Sequence, residues 1–312
     1  MGKCEFKVIK KTRVILDVDT GVDDAIAIAF ACYLKNLDVS LIATGGGNTG
    51  VDNVTHNTLN ILQFIQKGMV KVAKGVDGIL SKKPFVLQMH GKTGMGDYDF
   101  EPLKIKPVDK DVVEAMHEAV HDGDDKVTLI ALGPSTNFAK LLTKYPEDKE
   151  KIEKIVISGG LLEEIGRFAK PYSSFNIAFD DKATELLLNS GEDIVIVPSN
   201  HGHTAYLTYE DVYKTKNANA TGAMFEKIFR DYKDRHVKNG VATHDLCAVL
   251  SVSNPELFTM QKSKVWIEYS ESANAGILKF DFESGQPNVV VALDVNTRLF
   301  KKLYFKTLKK MP

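Results

Sequence analysis

The stretch "ILDVDTGVDD", residues 15–24, places four carboxylates, Asp17, Asp19, Asp23 and Asp24, within eight residues. No Lys or Arg lies between Arg13 and Lys35, and apolar runs flank the cluster, "VIL" ahead and "AIAIAFACYL" behind. Asp17 and Asp19, two apart on a strand, share a face. Gly21 lets the chain turn, and Asp23 and Asp24 stand at a helix start, where the macrodipole favours carboxylates. Capping explains Asp23 or Asp24 alone. It does not explain four together, because stacked like charges raise one another's pKa and cost stability. A hard cation is the better counterpart, and oxygen-only ligands suit calcium or magnesium.

Two motifs of this kind fit poorly. An EF-hand loop starting at Asp17 would put Val22 where its Gly belongs and Ile28 where its bidentate Glu belongs. A phosphatase of the haloacid dehalogenase type, with Asp17 and Asp19 as nucleophile and acid, needs a later acidic pair to hold magnesium. The candidate, "DGDD" at 122–125, reads better as a solvated turn ahead of a strand.

Such a cluster must be held by strands and helices, and these are legible. Short β-branched runs at Val14–Asp17, Val39–Thr44, Val127–Leu132, Ile155–Ser158 and Ile194–Val197 predict strands. Helical patterns follow at Asp24–Lys35, Val51–Lys67, Asp111–His121, Thr136–Lys144 and Asp181–Asn189. The alternation predicts an α/β fold with an open, mostly parallel twisted sheet and helices on both faces. After Asn200 the rhythm changes to a helical stretch over Ala218–Lys238, then "VATHDLCAVLSV", then hairpin strands in "SKVWIEYS", "GILKFDF" and "NVVVALDV". Without a repeat or a Pro/Ser-rich linker, residues 1–312 read as a single domain. In such folds sites form at the carboxyl ends of the strands. The acidic cluster, "TGGGN" (44–48), "LGPSTN" (132–137) and "SGG" (158–160) all fall there.

Composition narrows the partners. Forty basic against 41 acidic residues give a net charge of −1, which leaves no footprint for nucleic acid or an anionic membrane. Cys4, Cys32 and Cys247 are too few and scattered for a disulfide framework. The opening "MGKCEFKVIKKTR" has no signal-peptide core, and Phe6 stands where a myristoylation motif needs Ser or Thr. The apolar run Ala25–Leu34 falls short of the roughly 20 residues that span a bilayer. A cytoplasmic protein acting on a small molecule is expected.

"DVDTGVDDAIAI" resembles the signature of the inosine–uridine-preferring nucleoside hydrolases, and the resemblance runs from Val14 to about Leu250. "TGGGN", "HNTLNIL" (56–62), "HGKTGMG" (90–96), "LGPSTN", "FNIAFDDKAT" and "THDLCAVL" (243–250) resemble further family motifs in the same order. The resemblance implies an open α/β fold, a bound calcium ion, a homodimer or homotetramer, and hydrolysis of a nucleoside to ribose and free base. It implies that Asp19, Asp24 and Asp245 bind calcium through carboxylates and Leu132 through its backbone carbonyl. Asp23, Asn48 and Asn176 would then hold ribose hydroxyls, with Asp17 supporting the loop. That chemistry is coherent. Calcium takes about 6–8 oxygen ligands, leaving room for water and sugar hydroxyls. Asp19 is placed to act as general base, and a carboxylate-rich floor favours an oxocarbenium-like transition state. Two other readings of the cluster stay open: a magnesium-dependent phosphohydrolase, and a nucleoside- or calcium-binding protein without catalysis.

Eight histidines are present. His117 and His121, one turn apart, read as solvated, as does His236. His56 reads as structural, and His203 stays open between structural and site-lining. His244 directly precedes Asp245, and the resemblance implies a place beside the leaving base. His90, in a Gly-rich loop, is a weaker substrate-binding candidate. The family's usual Glu two residues before the Asn of F-N is replaced by Ser174, and "EIGRFAKPY" has no counterpart to an upstream family Asn. Recognition of the ribose 5′ end through Ser174 is therefore expected to differ, with Arg167, Lys170, Glu163 and Glu164 in the same loop.

Overall fold

The computed structural model describes residues 10–77, 90–91, 93–96, 98–162, 173–230, 232, 237–269 and 275–312. Strand β1 (Thr12–Val18) sits centrally, and its side chains alternate between two cores. Val14, Leu16 and Val18 pack on one face of the sheet and Ile15 on the other. Helix α1 (Val22–Tyr33) follows, then β2 (Leu37–Thr44), α2 (Val51–Phe64), β3 (Val72–Lys74), α3 (Val112–His121), β4 (Val127–Ala131), α4 (Thr136–Lys144) and β5 (Ile152–Ser158). Next come α5 (Phe175–Phe179), α6 (Asp181–Leu188), β6 (Ile194–Val197), α7 (Asn200–Thr204), β7 (Leu207–Thr208), α8 (Tyr209–Lys216), α9 (Ala220–Phe229) and β8 (Gly240–Val241). The chain ends with α10 (His244–Ser253), β9 (Phe258–Glu268), β10 (Ile277–Asp281), β11 (Val289–Val295) and α11 (Thr297–Leu308).

Among the described residues the main sheet runs β10-β9-β11-β6-β5-β4-β1-β2-β3. From β3 to β11 all pairings are parallel, and β9 then pairs antiparallel with β11 and with β10. Strands β7 and β8 form a separate two-stranded ribbon. Chain order reverses between β1 and β4, which makes the gap beyond their carboxyl ends the switch point where open sheets bind ligands.

Helix α1 is apolar nearly all round, with Val22 through Ala31 all buried. It lies beneath other helices rather than at the surface, which is what such a pattern requires. Residues of α1, α2, α9, α10 and α11 share one core, and residues of α3, α4 and α6 share the other. Phe30 stacks on Tyr304 at 5.0 Å and ties α1 to α11. Truncating a fully buried Phe of this kind costs about 3–5 kcal/mol.

The expected strands and helices are present to within a few residues, and the hairpin strands are β9, β10 and β11. The stretch expected as one helix over Ala218–Lys238 differs: α9 stops at Phe229, and Lys238 lies in the turn leading to β8. Helices α7 and α11, the short α5 and α8, and strand β3 were not read from the sequence. Glu163, Glu164, Arg167, Lys170 and His236 lie outside the described residues.

Candidate active site

The acidic cluster forms where β1 ends and α1 begins. Asp17 is the penultimate residue of β1, and its carbonyl accepts from the backbone N–H of Leu132 (2.8 Å) and Gly133 (3.2 Å), so the end of β4 closes against it. Its Oδ1 accepts from Asn137 Nδ2 at 2.8 Å, and the same amide reaches the Thr44 carbonyl at 3.2 Å. Asn137 on α4 thereby joins the carboxyl ends of β1 and β2. Thr20, between the two acidic pairs, is pinned by its hydroxyl contact with Thr58 (2.6 Å) and by Asn57, which donates to its carbonyl (3.1 Å).

Asp19 Oδ2 accepts from Asn48 N at 2.8 Å. Asp24 Oδ2 accepts from Gly21 N at 2.9 Å and from Asn48 Nδ2 at 3.3 Å. Asp245, on the first turn of α10, accepts from Ser158 Oγ at 3.1 Å. Asp23, Asp24 and Asp245 each bring a carboxylate oxygen within 4.8 Å of the others. Among the described residues the structure thus groups Asp23, rather than the expected Asp19, with Asp24 and Asp245, and Asp19 is held beside them by the Asn48 N–H. The close approach needs glycine: a Cβ on Gly47 would lie 2.1 Å from Asp19 Oδ2, and one on Gly133 2.8 Å from Asp19 Oδ1.

All five carboxylates are buried, and among the described residues no Lys or Arg pairs with any of them. Burial pushes Asp17 and Asp19 up to about 8, with neighbouring carboxylates adding to the shift. Burial first, and like charge second, also hold Asp24 and Asp245 well above the ordinary carboxylate range. Among the described residues, Asp17 Oδ2, Asp23 Oδ1 and Asp24 Oδ1 are buried without a hydrogen-bond partner. Orphaned acceptors in a purely oxygen donor set fit a hard divalent cation, whose charge and open coordination positions would satisfy them.

The other expected residues lie around this floor. Asn176, on α5, donates to the Leu132 carbonyl and to the Ser158 carbonyl at 3.0 Å, so it holds the ends of β4 and β5 together. His244 opens α10, and its Nδ1 lies 3.0 Å from the Ser199 carbonyl. A carbonyl only accepts, so Nδ1 carries a proton and donates it to Ser199. His203 packs edge-on against this ring at 4.7 Å, a second-layer position beside the site. Gly202 makes room, since a Cβ there would lie 2.1 Å from His244 Nδ1.

His90 is buried against the start of α1. Its Nδ1 accepts from Val22 N at 3.1 Å, and it lies 4.0 Å from Asp23 Oδ1. Ser174 is turned to the backbone: its Oγ accepts from Gly160 N at 2.7 Å. The direct contacts of Asn137 and Ser158 with the cluster were missed, although both residues sit inside the motifs "LGPSTN" and "SGG". Asp122–Asp125 occupy an exposed turn before β4, at the opposite end of the sheet from Asp17, so they do not complete a phosphatase site. His56 is exposed on α2. His121 is exposed, as expected, and His117 is half-buried, but both also contact the buried Asp148.

A family model described as inosine-uridine preferring nucleoside hydrolase matches residues 14–302, and the chain belongs to that family. Like its relatives, it is an enzyme that hydrolyses N-glycosidic bonds. It is 36% identical over 294 residues to a non-specific ribonucleoside hydrolase, RihC, of Klebsiella pneumoniae, covering 93% of this chain and 95% of the relative. A plant nucleoside hydrolase superposes with a TM-score of 0.86 at 25% identity, over 96% of this chain and 99% of the other. A purine-preferring ribonucleoside hydrolase from Gardnerella vaginalis does so with 0.85 at 26% identity, over 96% and 98%.

Proposed function

We propose that the protein is a calcium-dependent ribonucleoside hydrolase that accepts both purine and pyrimidine nucleosides. The observation that carries this reading is the group of five buried carboxylates, free of Lys or Arg partners among the described residues, at the switch point of the sheet. Asp19, Asp24, Asp245 and the Leu132 carbonyl would hold the ion, with Asp23 in the same cluster. Calcium there supplies positive charge that fixes sugar hydroxyls and makes water more acidic.

The remaining work falls to the chain. Asp19 takes a proton from the attacking water, its second oxygen being oriented by the Asn48 N–H. The hydroxide adds to the anomeric carbon as the C–N bond breaks. Asp23, Asn48 and Asn176 hold the ribose hydroxyls, and the carboxylate floor stabilises the positive charge that develops on the sugar. His90 steadies the first turn of α1 beneath Asp23. His244, with Nδ1 donating to Ser199, takes up a second proton at Nε2 from solvent and passes it to the departing base, returning to the neutral ring. The breadth for both base classes follows the non-specific relative.

The same proposal includes action as one domain, in the cytoplasm, as a homodimer or homotetramer. It is supported by a main sheet drawing strands from Thr12 to Val295, by the absence of any helix among the described residues long and apolar enough to cross a membrane, and by Trp266 and Tyr269 exposed near one sheet edge. The test is release of free ribose from inosine and uridine with calcium, after chelation, and after calcium is restored. Release of phosphate from p-nitrophenyl phosphate with no ribose from any nucleoside would overturn the reading in favour of a phosphohydrolase.

A further inference from the structure

A second cluster of ligating side chains lies at the other end of the sheet. His117 and His121 are one turn apart on α3, so their rings project from one face. Asp148 lies in the 3-10 turn Pro146–Lys151 that leads into β5. His121 ends α3 just before β4, so the cluster sits at the amino ends of β4 and β5, whereas the acidic cluster sits at the carboxyl ends. His117 Nδ1 lies 2.8 Å, and His121 Nε2 2.9 Å, from the same oxygen, Asp148 Oδ1. The three ligand atoms all lie within 4.8 Å of one another.

We propose that His117, His121 and Asp148 form a binding site for a divalent transition metal ion of the zinc type, which staples α3 to the turn before β5. The donor set of two imidazoles and one carboxylate is one that zinc takes, with water as the fourth ligand. The Asp148 side chain is fully buried, and its other oxygen, Oδ2, has no hydrogen-bond partner. Two neighbouring lysines are engaged elsewhere, Lys144 with Glu114 (3.3 Å) and Lys149 with the Ser190 carbonyl (2.6 Å). A buried carboxylate addressed, among the described residues, only by imidazole nitrogens is short of positive charge, and a cation supplies it.

The site is also ordered and open. His117 stacks on Tyr145 at 3.9 Å with the rings 16° apart, which fixes its plane. The side chains of His117 and His121 are 30% and 41% exposed, which gives an ion a route in. Tetrahedral zinc with bonds of about 2.0–2.1 Å sets neighbouring ligand atoms about 3.3 Å apart. From 2.8 and 2.9 Å the rings need retreat only a few tenths of an ångström.

The test titrates the full-length protein with zinc in saturating calcium, so that the acidic cluster is filled, and follows heat and stoichiometry. The wild type should bind about one zinc ion per chain, and His121→Ala should bind it at least about tenfold more weakly. His56→Ala, which removes an exposed imidazole on α2, should bind as the wild type does. Zinc should raise the melting temperature of the wild type and of His56→Ala, but not that of His121→Ala. His117→Ala repeats the test from the other ring. Wild-type protein that takes up no zinc, or a His121→Ala variant that binds it unchanged, overturns the proposal.

Discussion

Asn48 grips Asp19 and Asp24 at once, through its backbone N–H at 2.8 Å and its side-chain amide at 3.3 Å. One residue after β2 thus orients two carboxylates that leave β1 and enter α1. Asp19→Asn removes a proposed ion ligand and the proposed base while nearly preserving shape. Turnover of inosine should fall by more than the roughly 10²–10⁴-fold of base removal alone. Activity within tenfold of the parent would exclude Asp19 from this role.

Gly47→Ala tests the closeness of that loop. The added methyl would collide with both Asp19 Oδ2 and Asp19 Cβ (2.6 Å), so the Asp19 carboxylate must move. Displacing a catalytic group by about 1 Å can cost about 10²-fold. We expect kcat/KM to fall on that scale while circular dichroism stays native. Full activity would mean that the loop relaxes without moving Asp19.

Acidity should govern the stability of metal-stripped protein. Asp17 and Asp19 rise from the ordinary 3.8 to about 8 on burial, so the folded form holds their protons more tightly than the unfolded form. Their stabilising contribution is complete below the unfolded value and is lost as pH rises through about 8. With a chelator present, the melting temperature should drop between about pH 5 and about pH 8, and added calcium should stabilise more as pH rises because it competes with protons. A calcium effect independent of pH would show that these carboxylates are already ionised in the stripped protein.

His244→Ala should slow natural nucleosides more than p-nitrophenyl riboside, whose leaving group departs without a proton. This is the pattern of a group that donates to the leaving base. Equal losses on both substrates would make His244 a structural neighbour of Ser199 and His203.

Ser174 is the residue proposed to meet the sugar's 5′ end. Its hydroxyl oxygen is already occupied by Gly160 N, and it carries no charge to repel a phosphate. Removing the 5′-hydroxyl from a nucleoside should therefore cost no more than about tenfold in kcat/KM, the scale of one neutral hydrogen bond. A loss of several hundredfold for the 5′-deoxy compound would assign that end to another residue.

The central strands were legible because β1, β4, β5 and β6 are continuous β-branched runs buried on both faces, a pattern with few other meanings. The acidic cluster was legible because uncompensated charge between apolar runs demands an explanation. Strand β3 has three residues, and α5 and α7 have five each, too short for a period to show. Asn137 and Ser158 were quoted within motifs yet given no contact, since a contact with Asp17 or Asp245 depends on packing across the sheet. The reading of His117 and His121 was incomplete for the same reason. Their spacing indicated an exposed face, which His121 occupies, but nothing local announced that Asp148, from the turn after α4, would be buried against both rings.

The strand order has a consequence for how the enzyme comes into being. Asp17, Asp19, Asp23 and Asp24 leave the ribosome first, while Asp245 arrives on α10 after six of the seven parallel strands have been made. Until then the early carboxylates lack the partner that completes their cage. Contacts this distant in sequence form slowly, because long loops must close before any reward is returned. Capture of the proposed ion would therefore be a late checkpoint in biogenesis rather than a seed for folding. Newly made chains starved of calcium should pause as protease-sensitive intermediates with the amino-terminal sheet assembled and α10 undocked.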